Sequence, residues 1–177
     1  METNCSCSIM FYDKKHVETI KSLFEKISVV FNRNDFDSTS NIMKIGRKNF
    51  FFSVDLEPGC GANVIEYVNA IDYILRKNSV ENISFQISGY EDLGYDSYNA
   101  FIIDYENNIP TIRDIHFDVE LGEEDDFIAR DDAFYDAKNE AIASLENADK
   151  KPLESHRLMF KENPINTEQL DTIDFAF

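Results

Sequence analysis

The chain has no tryptophan, only four prolines and six glycines, and three cysteines in 177 residues. Each shortage excludes something. With so little glycine and proline there is no low-complexity tract, and no internal repeat is visible. Cys5, Cys7 and Cys60 are odd in number and sparse, so no disulfide framework is expected and the reducing cytosol is the natural setting. No window reaches the roughly 18 apolar residues a membrane span needs. Met1 to Ser8 lacks a basic segment followed by an apolar run, so no secretory leader is expected there.

The most uneven shortage is of positive charge. Residues 1–88 carry 11 acids and 10 bases, whereas residues 89–177 carry 23 and 7. Between Glu91 and Asp136 there are 15 acids against Arg113 and Arg130 alone. Crowded like charge weakens a compact state, so a fold that tolerates it has a use for it. High acidity argues against direct binding of nucleic acid or anionic membrane and points to a basic protein partner, steered in by complementary charge.

What is present is apolar enough to fold: 43% hydrophobic residues, with 15 Phe and 8 Tyr. A chain of this length hides roughly 70% of its unfolded surface. A single α+β domain over residues 1–150 is expected, with 151–177 as an extension packed on it. Residues 6–12 read as a strand. Lys14 to Phe31 reads as an amphipathic helix capped by Asp13, with Val17, Ile20, Phe24, Ile27 and Phe31 on one stripe. Strands follow near Ile42–Ile45 and Asn49–Leu56. The run Phe50-Phe51-Phe52 means one ring leaves the main core or both faces are covered. A second helix spans Asn63 to Lys77, with Val64, Val68, Ile71 and Leu75 inward. Residues 83–88 alternate as a strand and Gly89–Leu93 reads as loop. Tyr98–Glu106 and Ile109–Glu120 form a hairpin across Asn107-Asn108. In its second strand Ile115, Phe117 and Val119 oppose His116, Asp118 and Glu120. A third helix from about Phe127 to Ala148 is capped by Asp125 or Asp126 and places Phe134, Ala137, Ala141 and Leu145 inward. Ile173, Phe175 and Phe177 in the tail add a strand or tuck into a groove. The first six elements match the split β-α-β order of ferredoxin-like sandwiches, extended by the hairpin, the acidic helix and the tail.

No catalytic motif emerges. Gly59-Cys60-Gly61 lies where a dinucleotide loop sits, but Val64 replaces the third glycine and Asp55 and Glu57 would repel phosphate. Cys60 precedes a predicted helix, a place that favours thiolate, yet His16, His116 and His156 lie on different elements with no local signature. An enzyme built around Cys60 from dispersed residues is therefore a secondary reading. Cys5-Ser6-Cys7 is spaced more tightly than the two to four residues usual in structural zinc sites. These two cysteines read as strand residues, one inward and one outward, and no metal or cofactor is expected. Glu123 to Asp132 lacks the glycine of a calcium loop.

The remaining reading is an acidic recognition surface. Asp132, Asp136 and Glu140 share one helical face at spacing 4, with Asp131 beside them. Asp118 and Glu120 extend a strand row, and Glu123, Glu124, Asp125 and Asp126 form the densest run. Glu91, Asp92 and Asp96 are expected on a loop among Tyr90, Tyr95 and Tyr98, and tyrosines among acids suit an interface. The expected function is an inhibitor of a basic nucleic-acid-acting protein, foremost an immunity protein or antitoxin against a nuclease toxin. The alternative is a DNA-mimicking anti-restriction or anti-CRISPR protein of a phage or mobile element.

Overall fold

Two apolar helical stripes and one strongly paired sheet account for the architecture of the computed structural model, which describes residues 5–31, 41–56, 64–120, 127–153 and 166–177. In chain order the elements are β1 (Cys5–Phe11), α1 (Lys14–Val30), β2 (Met43–Ile45), β3 (Asn49–Leu56), α2 (Val64–Lys77), β4 (Phe85–Gly94), β5 (Ser97–Glu106), β6 (Ile109–Asp118), α3 (Phe127–Leu145), β7 (Lys151–Pro152) and α4 (Thr167–Leu170). Among the described residues the strands make one seven-stranded sheet in the order β2-β3-β1-β4-β5-β6-β7, every pairing antiparallel. With four helices among the described residues, the fold is mixed α+β.

α1 begins where predicted. Asp13 has extended backbone and its carboxylate accepts the Lys15 N–H at 2.8 Å, satisfying one orphan amide of the first turn. Val17, Ile20, Phe24 and Ile27 are all buried, as are Val64, Val68, Ile71 and Leu75 of α2. The two helices cover one face of the sheet, which contributes Ile9, Phe11, Phe52, Phe85, Ile87, Phe101, Ile103, Tyr105 and Ile112. Tyr67 stacks on Phe24 at 5.2 Å, and its hydroxyl shares a 2.7 Å hydrogen bond with Ser28, so its polar tip is satisfied inside the core. Full burial of each such side chain contributes about 1.5–3 kcal/mol. Register puts Phe50 and Phe52 opposite Phe11 and Ile9, whereas Phe51 pairs with Met10 and so leaves the helix-covered face.

The opposite face carries α3. Ala100 and Ile102 of β5 meet Ala141 and Leu145, with Phe117 and Ile142 at the margin. The predicted alternation in β6 holds, since Ile115 pairs with Ala100 and Phe117 with Tyr98. Its apolar row therefore faces α3 and not the main core, and Ile115 remains 39% exposed. The hairpin turn at Asn107-Asn108 has both residues at positive φ, the sign pattern that matches strand twist.

Three sequence expectations are corrected. Gly89–Leu93 is strand, not loop: β4 runs on to Gly94 because Gly89 is paired on both sides, with Cys7 and with Phe101. Interior pairing there overrides the local turn propensity of glycine. Cys5 and Cys7 stand two apart in β1, and the period of a strand is two, so the expected alternation between them does not follow from that spacing. β6 ends at Asp118, so Glu120 lies beyond it. In the tail, Leu170 is buried and Ile173 and Phe175 pack against the core under α1 and α2. Ile173 and Phe175 thus tuck in, Phe177 stays exposed, and none of the three lies in a strand. Asp171 accepts from both Tyr73 and Lys77, at 2.8 and 2.6 Å. The Pro58–Gly61 turn, Cys60, His156 and the cap of α3 lie outside the described residues. Among the described residues no helix is long and apolar enough to cross a membrane.

Candidate partner-binding surface

The β4–β5 hairpin and the first half of α3 build the candidate site. β4 turns into β5 through Tyr95-Asp96, both at positive φ, with Gly94 paired to Ser97. Asp92 stands opposite Tyr98 and Tyr90 opposite Ala100, so both sit on the α3 face. Phe134 of α3 reaches down to Tyr90 at 5.0 Å and Tyr98 at 4.8 Å, and Tyr98 stacks on Phe117 at 5.3 Å. Arg130, one turn earlier, reaches Asp96 at 2.8 Å. Together with Asp131 and Val119 these groups line a cleft of about 150 Å³. Partial burial, with the nearby charges of Asp92 and Asp96, pushes the Tyr98 hydroxyl above its ordinary pKa, so it stays a neutral donor.

The predicted residues divide sharply. Asp132, Asp136 and Glu140 are exposed on α3, opposite its apolar stripe; Asp131 is exposed beside the stripe, at the cleft; and Asp118 and Glu120 are exposed at and just beyond the end of β6. Tyr95 stands at the hairpin tip, 95% exposed. Tyr90, Tyr98, Asp92 and Asp96 are half-buried around the cleft. Glu91 is the correction: it alternates to the helix-covered face, is 7% exposed, and burial raises its carboxyl to about 7. It is not a surface carboxylate, because continuation of the strand turned every second side chain of 89–93 inward. Glu123, Glu124, Asp125 and Asp126 lie outside the described residues.

The sequence count of acids also overstated the free charge. Asp104 is paired with Arg113 and Lys150, Glu106 with Lys150, and Asp114 with Lys151. These neutralised acids lie towards the β5–β6 turn and β7. Among the described residues of 91–136, Asp92 near the β4–β5 turn and Asp131, Asp132 and Asp136 on α3 have no cation within ion-pair distance.

Sequence reasoning missed Lys138. Its ammonium lies 4.9 Å from the Tyr135 ring centre, 5.5 Å from Tyr90 and 5.9 Å from Phe134, and partial burial lowers its pKa. Its spacing of four from Phe134 was the available signal. Sequence reasoning also missed a polar cluster in which Ser97 Oγ donates to Asp118 at 2.6 Å and lies 3.2 Å from His116 Nε2. That hydrogen bond, aided by His116, holds the Asp118 carboxyl below its usual range. The arrangement is not that of a nucleophile and its base: the serine proton is directed at the carboxylate, and the same imidazole nitrogen faces both partners. Among the described residues no group of His, Cys, Asp and Glu is arranged to hold a metal ion.

No protein-family model, curated protein or solved structure matches the chain. The class of the molecule therefore rests on its geometry: an antiparallel α+β sheet carrying an acidic, aromatic-lined helix on its second face.

Proposed function

We propose that the protein is an inhibitor that binds a basic nucleic-acid-acting protein through α3 and the β4–β5 hairpin, in the manner of an immunity protein or antitoxin. The observation that carries this reading is the outer face of α3. Asp132, Asp136 and Glu140 are exposed there, and among the described residues none lies within ion-pair distance of a cation. Enzymes and toxins that act on nucleic acid need positive clefts, and a row of carboxylates about one helical turn apart offers such a cleft a substitute for phosphates. Tyr95 and the half-buried rings beneath it add the large rigid contacts that dominate interface energetics. The sheet half formed by β1, β2 and β3 comes from the near-neutral part of the chain, so the acid is localised. That favours a protein fitted to one cleft over a full duplex mimic. We read the β1-α1-β2-β3-α2-β4 portion as a ferredoxin-like core, in line with its strand order β2-β3-β1-β4. The sparse cysteines place the complex in the cytosol on this reading.

The test is capture and inhibition. The protein, immobilised at low salt, should retain a basic nucleic-acid-acting protein from its source cells, with release near physiological to moderate salt. Equimolar addition should then block that protein's cleavage or binding of nucleic acid. Partners that are acidic, or captured partners whose activity is untouched, would refute the reading.

A further inference from the structure

Resting on that reading, we infer that the cleft between the β4–β5 hairpin and α3 is a socket for a single arginine side chain of the partner. Three features point to a guanidinium. The walls are aromatic faces and edges, from Tyr90, Tyr98 and Phe134, against which a planar weakly hydrated cation stacks. The rim is acidic: Asp92 and Asp131 line the cleft, and among the described residues neither has a cation within ion-pair distance. The chain also supplies its own cations to this surface. Arg130 sets its guanidinium on Asp96 at one lip, and Lys138 lies over the Tyr90 and Phe134 rings. Two of the lining rings, Tyr90 and Phe134, and one lining carboxylate, Asp96, thus already accept cations from within the molecule. Arg130 is 51% exposed and bound to one carboxylate oxygen, so an incoming arginine can compete for Asp96 while pairing with Asp92. Arginine is favoured over lysine because its fork matches a carboxylate in two places and its plane matches a ring.

The test uses short peptides with one arginine in a Gly/Ser host, and lysine and citrulline versions, followed by NMR on the tyrosine and phenylalanine rings at about 20 mM salt, where screening is weak. The arginine peptide should shift Tyr90, Tyr98 and Phe134, the lysine peptide should bind more weakly, and citrulline should have no effect. Asp92→Asn should weaken arginine binding by about fivefold or more. It keeps the Oδ1 acceptor that holds the Gly94 N–H at 2.7 Å, so the turn is preserved. Glu18→Gln, exposed on α1 and outside the cleft, should change binding less than about twofold. Arg130→Gln removes the internal competitor and should tighten binding. Equal binding of arginine and citrulline, or of the parent and Asp92→Asn, overturns the socket. An octa-lysine peptide titrated in parallel separates the two levels. If it binds in a salt-dependent way while the rings stay unshifted by arginine, only the socket fails. If it also fails to bind, the basic-partner reading falls with it.

Discussion

Arg113 Nη2 lies 2.6 Å from Asp104 Oδ2, and both side chains are 6% exposed. The pair does more than cancel charge. The second terminal nitrogen, Nη1, donates to the carbonyls of Leu145 and Glu146, each at 2.7 Å, which are acceptors left over at the end of α3. Gln86 donates to the second Asp104 oxygen at 2.8 Å. A buried bridge therefore ties β4, β5 and β6 to the C-terminal end of the acidic helix and sets where that helix sits on the sheet.

Removing one partner should cost more than removing a surface ion pair. Arg113→Leu leaves Asp104 buried with only Lys150, 3.5 Å away, in compensation. Destabilisation by about 3 kcal/mol is expected, the low end for a broken buried pair. Urea unfolding of the parent and the variant gives the value. A change below about 0.5 kcal/mol, typical of surface sites, would show that the bridge is not structural.

Glu91 predicts a pH dependence of opposite sign to that of most carboxylates. Its folded-state pKa is raised from 4.5 to about 7 by burial, so between those values the folded protein holds a proton that the unfolded chain has released. Stability contributed by neutral Glu91 is thus present at low pH and is lost as pH rises through about 7. Glu91→Gln should remove this slope and be more stable than the parent at pH 8, by up to about 2–3 kcal/mol, with little difference near pH 4.5. Parallel denaturant curves across that range decide it. Identical slopes would show that Glu91 stays ionised.

Phe134 holds α3 to the sheet through Tyr90, Tyr98 and Phe117. It is only half-buried, so Phe134→Ala should cost about 2–3 kcal/mol, less than a fully enclosed ring. The near-ultraviolet signal of the tyrosines should weaken together with the melting temperature. A variant that melts like the parent would mean that the cleft walls are not set by this ring.

Charge reversal on the outer face should separate binding from folding. Changing Asp132, Asp136 and Glu140 together to lysine leaves the Phe134, Ala141 and Leu145 contacts untouched and should leave the melting temperature within error of the parent. Association with a basic partner should slow strongly, and the salt dependence of the on-rate should flatten. Full binding by this variant would remove α3 from the interface. A lost melting transition would make these acids structural.

Helices and strands were legible where one local pattern sufficed. The 3-4-3 spacing of Val17, Ile20, Phe24 and Ile27 and the Asp13 cap are properties of a continuous segment, and they located α1 without a partner. The Asn107-Asn108 turn was legible for the same reason, because positive φ at two residues is a local demand. Tyr95-Asp96 makes the same demand with residues that do not announce it, so its hairpin, and with it the inward turn of Glu91, was not visible.

The sequence by itself determined that the second half is strongly acidic, that the first half packs two amphipathic helices, and that α3 has an acidic face opposite an apolar one. These follow from composition and period, which no neighbour can change. Only the tertiary structure decided which acids remain free. Arg113 neutralises Asp104 across neighbouring strands, and Lys150 and Lys151 neutralise Glu106 and Asp114 from 44 and 37 residues away in the chain. Only the tertiary structure brought Tyr90, Tyr98 and Phe134 together over Asp92. Such meetings depend on which sheet face each strand residue occupies, and that is set by pairing across the sheet and not by any local stretch of chain.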